Sequence, residues 1–263
     1  MQASPFLLEG KVAIVTGGGT GIGKAIATEF ARAGADVVIA SRKLEHLEPA
    51  VAELGRLGRR SFPVVTDVRN EDQVRELVER TVREFAKLDV MVNNAGASFI
   101  AALEDISLNG WNAVVGINLT GAFLGCKWAG KQMMRQGGGV IINVSSIAGV
   151  YGSTTMPHYG AAKAAVVNLT RALGSAWAPH GIRVNCIAPG PIETEGYMDN
   201  LRKVTPDAEV IYERVASRVA MGRWGKVNEI AYPCLFLASE AASFMTGATI
   251  VVDGGPGSRE GAE

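Results

Sequence analysis

Apolar residues fall along this chain in two rhythms. Short apolar runs alternate with longer stretches in which apolar positions recur every three or four residues. The runs predict strands at 11–16, 36–40, 61–66, 88–93, 140–144, 182–187 and 249–252. The periodic stretches predict helices at 21–33, 43–57, 70–86, 103–109, 111–135, 157–178 and 226–238. Gly34 and Gly58 end the first two helices, Gly137-Gly138-Gly139 ends the one at 111–135, and Pro157 opens the next. The strands are apolar without alternation, so both faces of their sheet must be covered. The expected fold is α/β, a doubly wound parallel β-sheet of about seven strands with helices on both faces, three layers αβα. One domain over 1–263 accommodates it. Residues 191–225 break the rhythm, mixing Gly, Pro, Met, Tyr and charge without a clean apolar stripe. A connection that long at the carboxyl side of a sheet predicts a substrate-binding loop or lid.

Composition narrows the classes. Hydrophobic residues make up 48%, enough for a large core, and Lys+Arg and Asp+Glu both number 26. With no basic excess, nucleic acid is not expected as the main partner. Apolar runs are broken well before ~18 residues, so no membrane partner is expected. Residues 1–10 lack the length and basic start of a signal peptide. Cys126, Cys186 and Cys234 lie far apart, form no C-x-x-C pair and read as small buried hydrophobes. They suit a reducing, cytoplasmic compartment. His46, His158 and His180 are scattered, and no metal site is expected.

The first predicted strand runs into Thr16-Gly17-Gly18-Gly19-Thr20-Gly21-Ile22-Gly23, and a helix follows. Strand, glycine turn and helix are what a phosphate site needs. Amides at a helix N-terminus carry unpaired donors and the positive end of the dipole. Gly18-x-x-x-x-Gly23-Lys24 also matches most of a P-loop, but Ala25 has no hydroxyl for Mg²⁺, which argues against ATP. The second strand ends in Ser41-Arg42-Lys43, without a carboxylate to accept from a ribose 2′-hydroxyl. Arg42 offers a planar fork for a 2′-phosphate and Lys43 a second positive charge, so NADP(H) is favoured over NAD(H).

Tyr159-Gly160-Ala161-Ala162-Lys163 puts a phenol and an ammonium one helical turn apart, and Ser146 stands thirteen residues before Tyr159. Hydroxyl, phenol and cation suit proton transfer on a carbonyl or alcohol oxygen. A free phenol titrates near ~10, too high for a base at neutral pH, and a neighbouring cation should lower it. His158 adjoins Tyr159 but diverges by about 100° on a helix, so it has no expected proton role.

Thr16-Gly17-x-x-x-Gly21-x-Gly23, Asn93-Asn94-Ala95-Gly96, Asn118, Ser146, Tyr159-x-x-x-Lys163 and Pro189-Gly190 resemble, in order and over nearly the whole chain, the short-chain dehydrogenase/reductase family. The resemblance implies a Rossmann-fold oxidoreductase using NAD(H) or NADP(H), assembled as a homotetramer or homodimer. It implies coenzyme contacts from Gly17, Gly19, Thr20, Gly21, Ile22 and Gly23 at the pyrophosphate. It adds Asp67 and Val68 at the adenine, and Asn94, Ala95 and Gly96 at the adenosine ribose. Pro189, Gly190, Ile192 and Thr194 would lie at the nicotinamide or the phosphates. Tyr159 would be the acid/base. Lys163 would bind the nicotinamide ribose, Ser146 would orient the substrate oxygen, and Asn118 would hold a water against Lys163. The same family is implied to pair subunits through the helix bearing Ala161, Ala164, Ala165 and Ala172 and through 249–253.

Ser98, Phe99, Ala148, Val150, Tyr151, Met156, Tyr197, Met221 and Trp224 are expected on the substrate side, and no residue from Ile147 to Pro157 is charged. The expected partner is a small-molecule carbonyl or alcohol, neutral or hydrophobic, or a 3-oxoacyl-type substrate. Two alternatives stand beside this reading. The segments ending in Ser41-Arg42-Lys43 and running from Pro189 to Gly196 resemble enoyl- and dienoyl-CoA reductases, which usually lack the tyrosine present here as Tyr159. A non-catalytic NADP(H)-binding sensor or scaffold could use the same fold, but Asn118, Ser146, Tyr159 and Lys163 are all retained.

Overall fold

The computed structural model describes residues 4–195 and 197–255. Its centre is a seven-stranded sheet of β1 (Val12–Thr16), β2 (Asp36–Ser41), β3 (Ser61–Val65), β4 (Val90–Asn93), β5 (Gly139–Val144), β6 (Ile182–Pro189) and β9 (Thr249–Val252). The spatial order is β3-β2-β1-β4-β5-β6-β9, and every pairing is parallel. Pro63 is tolerated in β3 because that strand forms an edge.

Helices cover both faces. Ala13 and Val15 of β1 face one core cluster with Ile26 and Phe30 of α1 (Gly21–Arg32), Leu47 of α2 (Leu44–Gly55) and Ile230 and Leu237 of α10 (Val227–Ala238). Ile14, between them in sequence, faces the other cluster. There it meets Leu77 and Val78 of α3 (Glu71–Phe85) and Met133 of α5 (Gly121–Gln136). Period-two alternation thus feeds two apolar layers, although neither face meets water. Cys126, Cys186 and Cys234 are free and buried, and desolvation pushes the Cys126 thiol up to about 12 and Cys186 up to about 11. No helix among the described residues is long and apolar enough to cross a membrane.

Three segments depart from the expected pattern. The stretch 103–109 is a 3-10 turn at Leu103–Asp105 followed by the start of α4 (Leu108–Val115), whose Ser107 cap accepts from the Gly110 amide. The long helix expected at 111–135 is α4 and α5 joined by a π-helical turn, Gly116–Thr120. Apolar spacing does not register the wider turn. Asn118 is the residue buried within it. Residues 191–225 carry their own framework. Two-residue strands β7 (Ile192–Glu193) and β8 (Gly225–Lys226) pair at the base, with α8 (Tyr197–Val204) and α9 (Ala208–Ser217) between them. A one-turn helix, α6 (Ala148–Tyr151), precedes α7 (Pro157–Trp177).

Candidate active site

The strand order reverses between β1 and β4, and the segments leaving their carboxyl ends diverge there. In an open parallel sheet that divergence creates the ligand crevice. The Thr16 hydroxyl ties the two strand ends to each other. It donates to the Val92 carbonyl at 3.2 Å and accepts from the Asn94 and Ala95 amides at 3.0 and 3.1 Å. The Asn94 amide nitrogen donates to the Thr16 carbonyl at 2.9 Å.

The glycine turn leaves β1 into α1. Gly21 has φ +53°, and a Cβ there would come within 3.2 Å of Thr194. A side chain at Gly23 would run into the Gly17 carbonyl and the Asn94 amide. The first turn of α1 has no acidic residue, and its Thr20 cap makes no side-chain hydrogen bond to the helix amides. A bare, positive helix end behind a stripped turn suits a pyrophosphate. Gly19 lies in the same turn, packed on the His46 backbone.

Two recesses meet at Gly96. One, of about 200 Å³, is lined by Gly17, Thr20, Ser41, Arg42, Asp67, Val68, Ala95 and Gly96. Arg42 is exposed at its rim. Lys43 is turned away into an ion pair with Glu45 at 3.1 Å. Asp67 grips the Arg69 guanidinium, which with a smaller contribution from Arg42 holds the carboxyl below its usual range. The second recess, of about 380 Å³, is lined by Ile22, Asn94, Gly96, Ser98, Ser146, Met156, Tyr159, Lys163, Pro189, Gly190 and Ile192. Two of its neighbours are less central than expected. Ala148 is buried, its amide donating to the Ser146 hydroxyl at 3.2 Å, and Tyr151 is 60% exposed, so neither lines the cleft. Thr194 and Tyr197 line an adjoining recess with Gly21. Tyr197 tilts onto Trp224 at 4.8 Å, and Trp224 stacks on Tyr212 at 5.0 Å, so Tyr197 belongs to an aromatic stack of the 191–225 segment.

Tyr159 and Lys163 project from one face of α7, opposite Ser146 at the end of β5. Burial raises the Tyr159 phenol above its ordinary 10, and a hydrogen bond with Ser146 opposes that rise. Lys163 is 3% exposed, and desolvation lowers it to about 8. Its ammonium donates to the Val144 carbonyl at 2.7 Å and stands 5.6 Å from the Tyr159 ring centre. The expected acidification of Tyr159 by Lys163 is therefore not what this geometry produces, because the ammonium is engaged by a carbonyl and desolvation governs both groups. Asn118 is buried, with its amide nitrogen donating to the Ala97 and Val114 carbonyls at 2.7 and 2.9 Å. Its Oδ1 is buried without a partner, and a Cβ at Gly96 would lie 2.7 Å from it and 3.5 Å from Lys163 Nζ. The unmet Asn118 acceptor and the Lys163 ammonium thus both lie close to Gly96, where a side chain would clash with Asn118.

The sequence favours Ser146 over its neighbour Ser145 on the thirteen-residue spacing to Tyr159, and it does not single out Gly149; the structure gives both Ser145 and Gly149 a supporting place. The buried Ser145 hydroxyl donates to the Lys163 carbonyl at 2.8 Å, tying β5 to the helix that carries the site. A Cβ at Gly149 would lie 2.5 Å from the Lys163 carbonyl carbon, so α6 rests directly on α7. The Ser145-Ser146 doublet was the one available signal for the first; nothing local marks the second.

Fold and cleft together define a nucleotide-binding α/β protein of the Rossmann type. The family model described as "Enoyl-(Acyl carrier protein) reductase" matches residues 17–256. The 3-oxoacyl-(acyl-carrier-protein) reductase of Thermotoga maritima is 40% identical over 248 residues, covering 94% of this chain and 98% of that one. The peroxisomal 2,4-dienoyl-CoA reductase of Danio rerio is 39% identical over 254 residues, covering 96% and 83%. The crystal structure of L-sorbose reductase from Gluconobacter frateurii, complexed with NADPH and L-sorbose, superposes with TM-score 0.92 at 31% identity, covering 96% and 98%. The chain belongs to the short-chain dehydrogenase/reductase family, NAD(P)(H)-dependent oxidoreductases that act on a carbonyl or alcohol group.

Proposed function

We propose that this protein is an NADP(H)-dependent carbonyl reductase or alcohol dehydrogenase for a neutral or hydrophobic substrate, with Ser146, Tyr159, Lys163 and Asn118 as its working residues. One observation carries the reading. Ser146, Tyr159 and Lys163 share a cleft that is continuous, through Gly96, with a glycine turn at the sheet's switch point. When bound, the nicotinamide supplies or takes the hydride. The turn from Gly17 to Gly23 and the α1 amides hold the pyrophosphate, Asp67 and Val68 flank the adenine, and Pro189, Gly190, Ile192 and Thr194 flank the nicotinamide end. Ser146 donates to the substrate oxygen and fixes its distance from Tyr159. The Tyr159 hydroxyl gives its proton to that oxygen during reduction and takes it back during oxidation. In reduction a raised phenol is a competent donor. In the reverse direction it needs Lys163 released from the Val144 carbonyl to stabilise the phenolate. Asn118 Oδ1 and Lys163 hold a water that re-supplies the proton.

Arg42, exposed at the adenosine recess with no carboxylate on the neighbouring Ser41, supports the 2′-phosphate and hence NADP(H). Lys43, paired with Glu45, contributes less than its sequence position suggested. The uncharged stretch 147–157 and Met156 favour a neutral substrate. The segment 191–225 acts as the lid. Exposed Ala161, Ala164 and Ala172 on α7 offer a close-packing face for a homodimer or homotetramer.

The decisive experiment is coenzyme-coupled turnover over a panel of ketones and secondary alcohols, with wild type and Tyr159→Phe. Wild-type turnover and a loss of 10²–10⁴-fold in the variant are expected, the usual span for removal of a general acid. Full activity of the variant would end the assignment. Tight NADPH binding without turnover on any substrate would favour a sensor.

A further inference from the structure

His158 is the feature of this site that the proposed chemistry leaves unused. It is fully buried, yet neither ring nitrogen has a hydrogen-bond partner. Buried unmet polar groups are uncommon enough that each one requires a reason. The imidazole follows Pro157 at the start of α7 and lies against the Phe99 ring, centroids 4.4 Å apart and planes at 53°. Phe99 is gripped from a second side as well. A Cβ at Gly110 on α4 would come within 3.0 Å of Phe99 Cζ, so the ring occupies the space that a side chain at position 110 would fill. A third tie joins the same two segments, the Ala101 amide donating to the Thr155 carbonyl at 3.1 Å.

These contacts converge on one wall of the cleft. Ser98, next to Phe99, lines it, as do Met156 and Tyr159 on either side of His158. The segment from Asn94 to Ala102 has no helix or strand of its own to hold its shape. Asn118 holds it at the Ala97 carbonyl and Thr155 at the Ala101 amide, and between those two ties the Phe99 ring is its anchor. We propose that His158 is a positioning residue: through Phe99, seated on Gly110, it holds the 97–101 wall of the substrate cleft and so sets the size of the group the cleft accepts. The imidazole works here as a flat ring, since neither of its nitrogens has a hydrogen-bond partner. The inference rests on the substrate reading given under the proposed function, because it assigns that cleft to a carbonyl or alcohol.

The test compares His158→Ala, His158→Phe, Phe99→Ala, Gly110→Ala and the double variant His158→Ala/Phe99→Ala. Each is assayed for kcat and KM on a small aliphatic ketone and on a bulky aryl ketone, and for NADPH affinity by nucleotide fluorescence. His158→Ala and Phe99→Ala should shift the bulky-to-small ratio of kcat/KM towards the bulky ketone by about tenfold or more, the scale at which pocket shape discriminates, mainly through KM. Gly110→Ala should shift it in the same direction by less. NADPH affinity should stay unchanged. The double variant should do no more than either single change, since the two residues act through one contact. His158→Phe should restore the wild-type ratio, because only the ring is needed.

An unchanged ratio in a folded His158→Ala or Phe99→Ala protein overturns the proposal. So does a His158→Phe variant as impaired as His158→Ala, which would mean the nitrogens matter. If His158→Ala does not fold, Phe99→Ala on a half-exposed ring and Gly110→Ala decide alone. Wild-type protein that turns over no ketone removes the substrate reading and this inference together. Wild-type turnover with unaltered ratios removes this inference only.

Discussion

In the proposed mechanism, Lys163 pits stability against chemistry. A lysine whose folded pKa is about 8 against an ordinary 10.5 holds its proton less well folded than unfolded. Its burial therefore opposes folding fully below about pH 8, and the penalty fades as pH rises from 8 towards 10.5. Lys163→Met should melt no lower than wild type at pH 7, with any advantage shrinking through that window in thermal scans, while turnover falls by on the order of 100-fold or more. A clear drop in Tm at pH 7 would contradict this. In the proposed reading, coenzyme choice turns on Arg42. It lies exposed at the recess beside the glycine turn. Arg42→Ala should raise KM for NADPH by about tenfold or more while leaving KM for NADH nearly unchanged, as expected for loss of one charge-assisted contact. Equal effects on both coenzymes in steady-state assays would remove the argument. These two residue types were readable from the chain, since strand-end position and four-residue spacing are local. The Lys163 bond to the Val144 carbonyl, made across 19 residues, was not.

Among the elements, α7 carries the site and α6 and β5 hold it in place. Ser145 fastens the α7 backbone at Lys163, and Gly149 lets α6 lie directly on it. Gly149→Ala would add a methyl 2.5 Å from the Lys163 carbonyl carbon and push the two helices apart. Turnover should fall by roughly 10- to 100-fold, as small misplacements of reacting groups do, with the far-ultraviolet circular dichroism unchanged. A fully active variant would show that the contact relaxes harmlessly. Strands and most helices were legible because burial on both faces writes continuous apolar runs and amphipathic stripes. The π turn at Gly116–Thr120 was not, since one extra residue in a turn leaves the apolar spacing almost intact. Asn118, buried in that turn, brings its Oδ1 close to Gly96, as Lys163 brings its Nζ.

Across the whole molecule, the β7·β8 pair closes the two ends of the segment 191–225 on each other, and a fork of Arg223 on Glu229 of α10, with N–O distances of 2.7 and 2.8 Å, ties the segment to the body. The Arg223 guanidinium and the Lys226 amide hold the Glu229 carboxyl down to about 2. A carboxylate lowered on folding contributes stability above its ordinary pKa, here 4.5, and loses it as pH falls towards 2. Both side chains are more than a third exposed, so solvent limits the effect. Glu229→Gln should lower Tm modestly at pH 7, and the gap from wild type should close between pH 4.5 and 2 in calorimetry. A gap that persists at the acid end would mean the carboxylate's charge is not what matters.

By itself the sequence determined the sheet's class, the glycine turn and the four-residue spacing of phenol and ammonium, because each is a property of neighbours along one chain. Only the tertiary structure decided that Asn118 and Lys163 both reach Gly96 and that His158 lies against Phe99. It also decided that burial, more than the adjacent ammonium, governs the Tyr159 phenol. The physical reason is shared: desolvation and close approach depend on what is packed alongside from distant parts of the chain, and a linear pattern of apolar and polar positions carries no record of those partners.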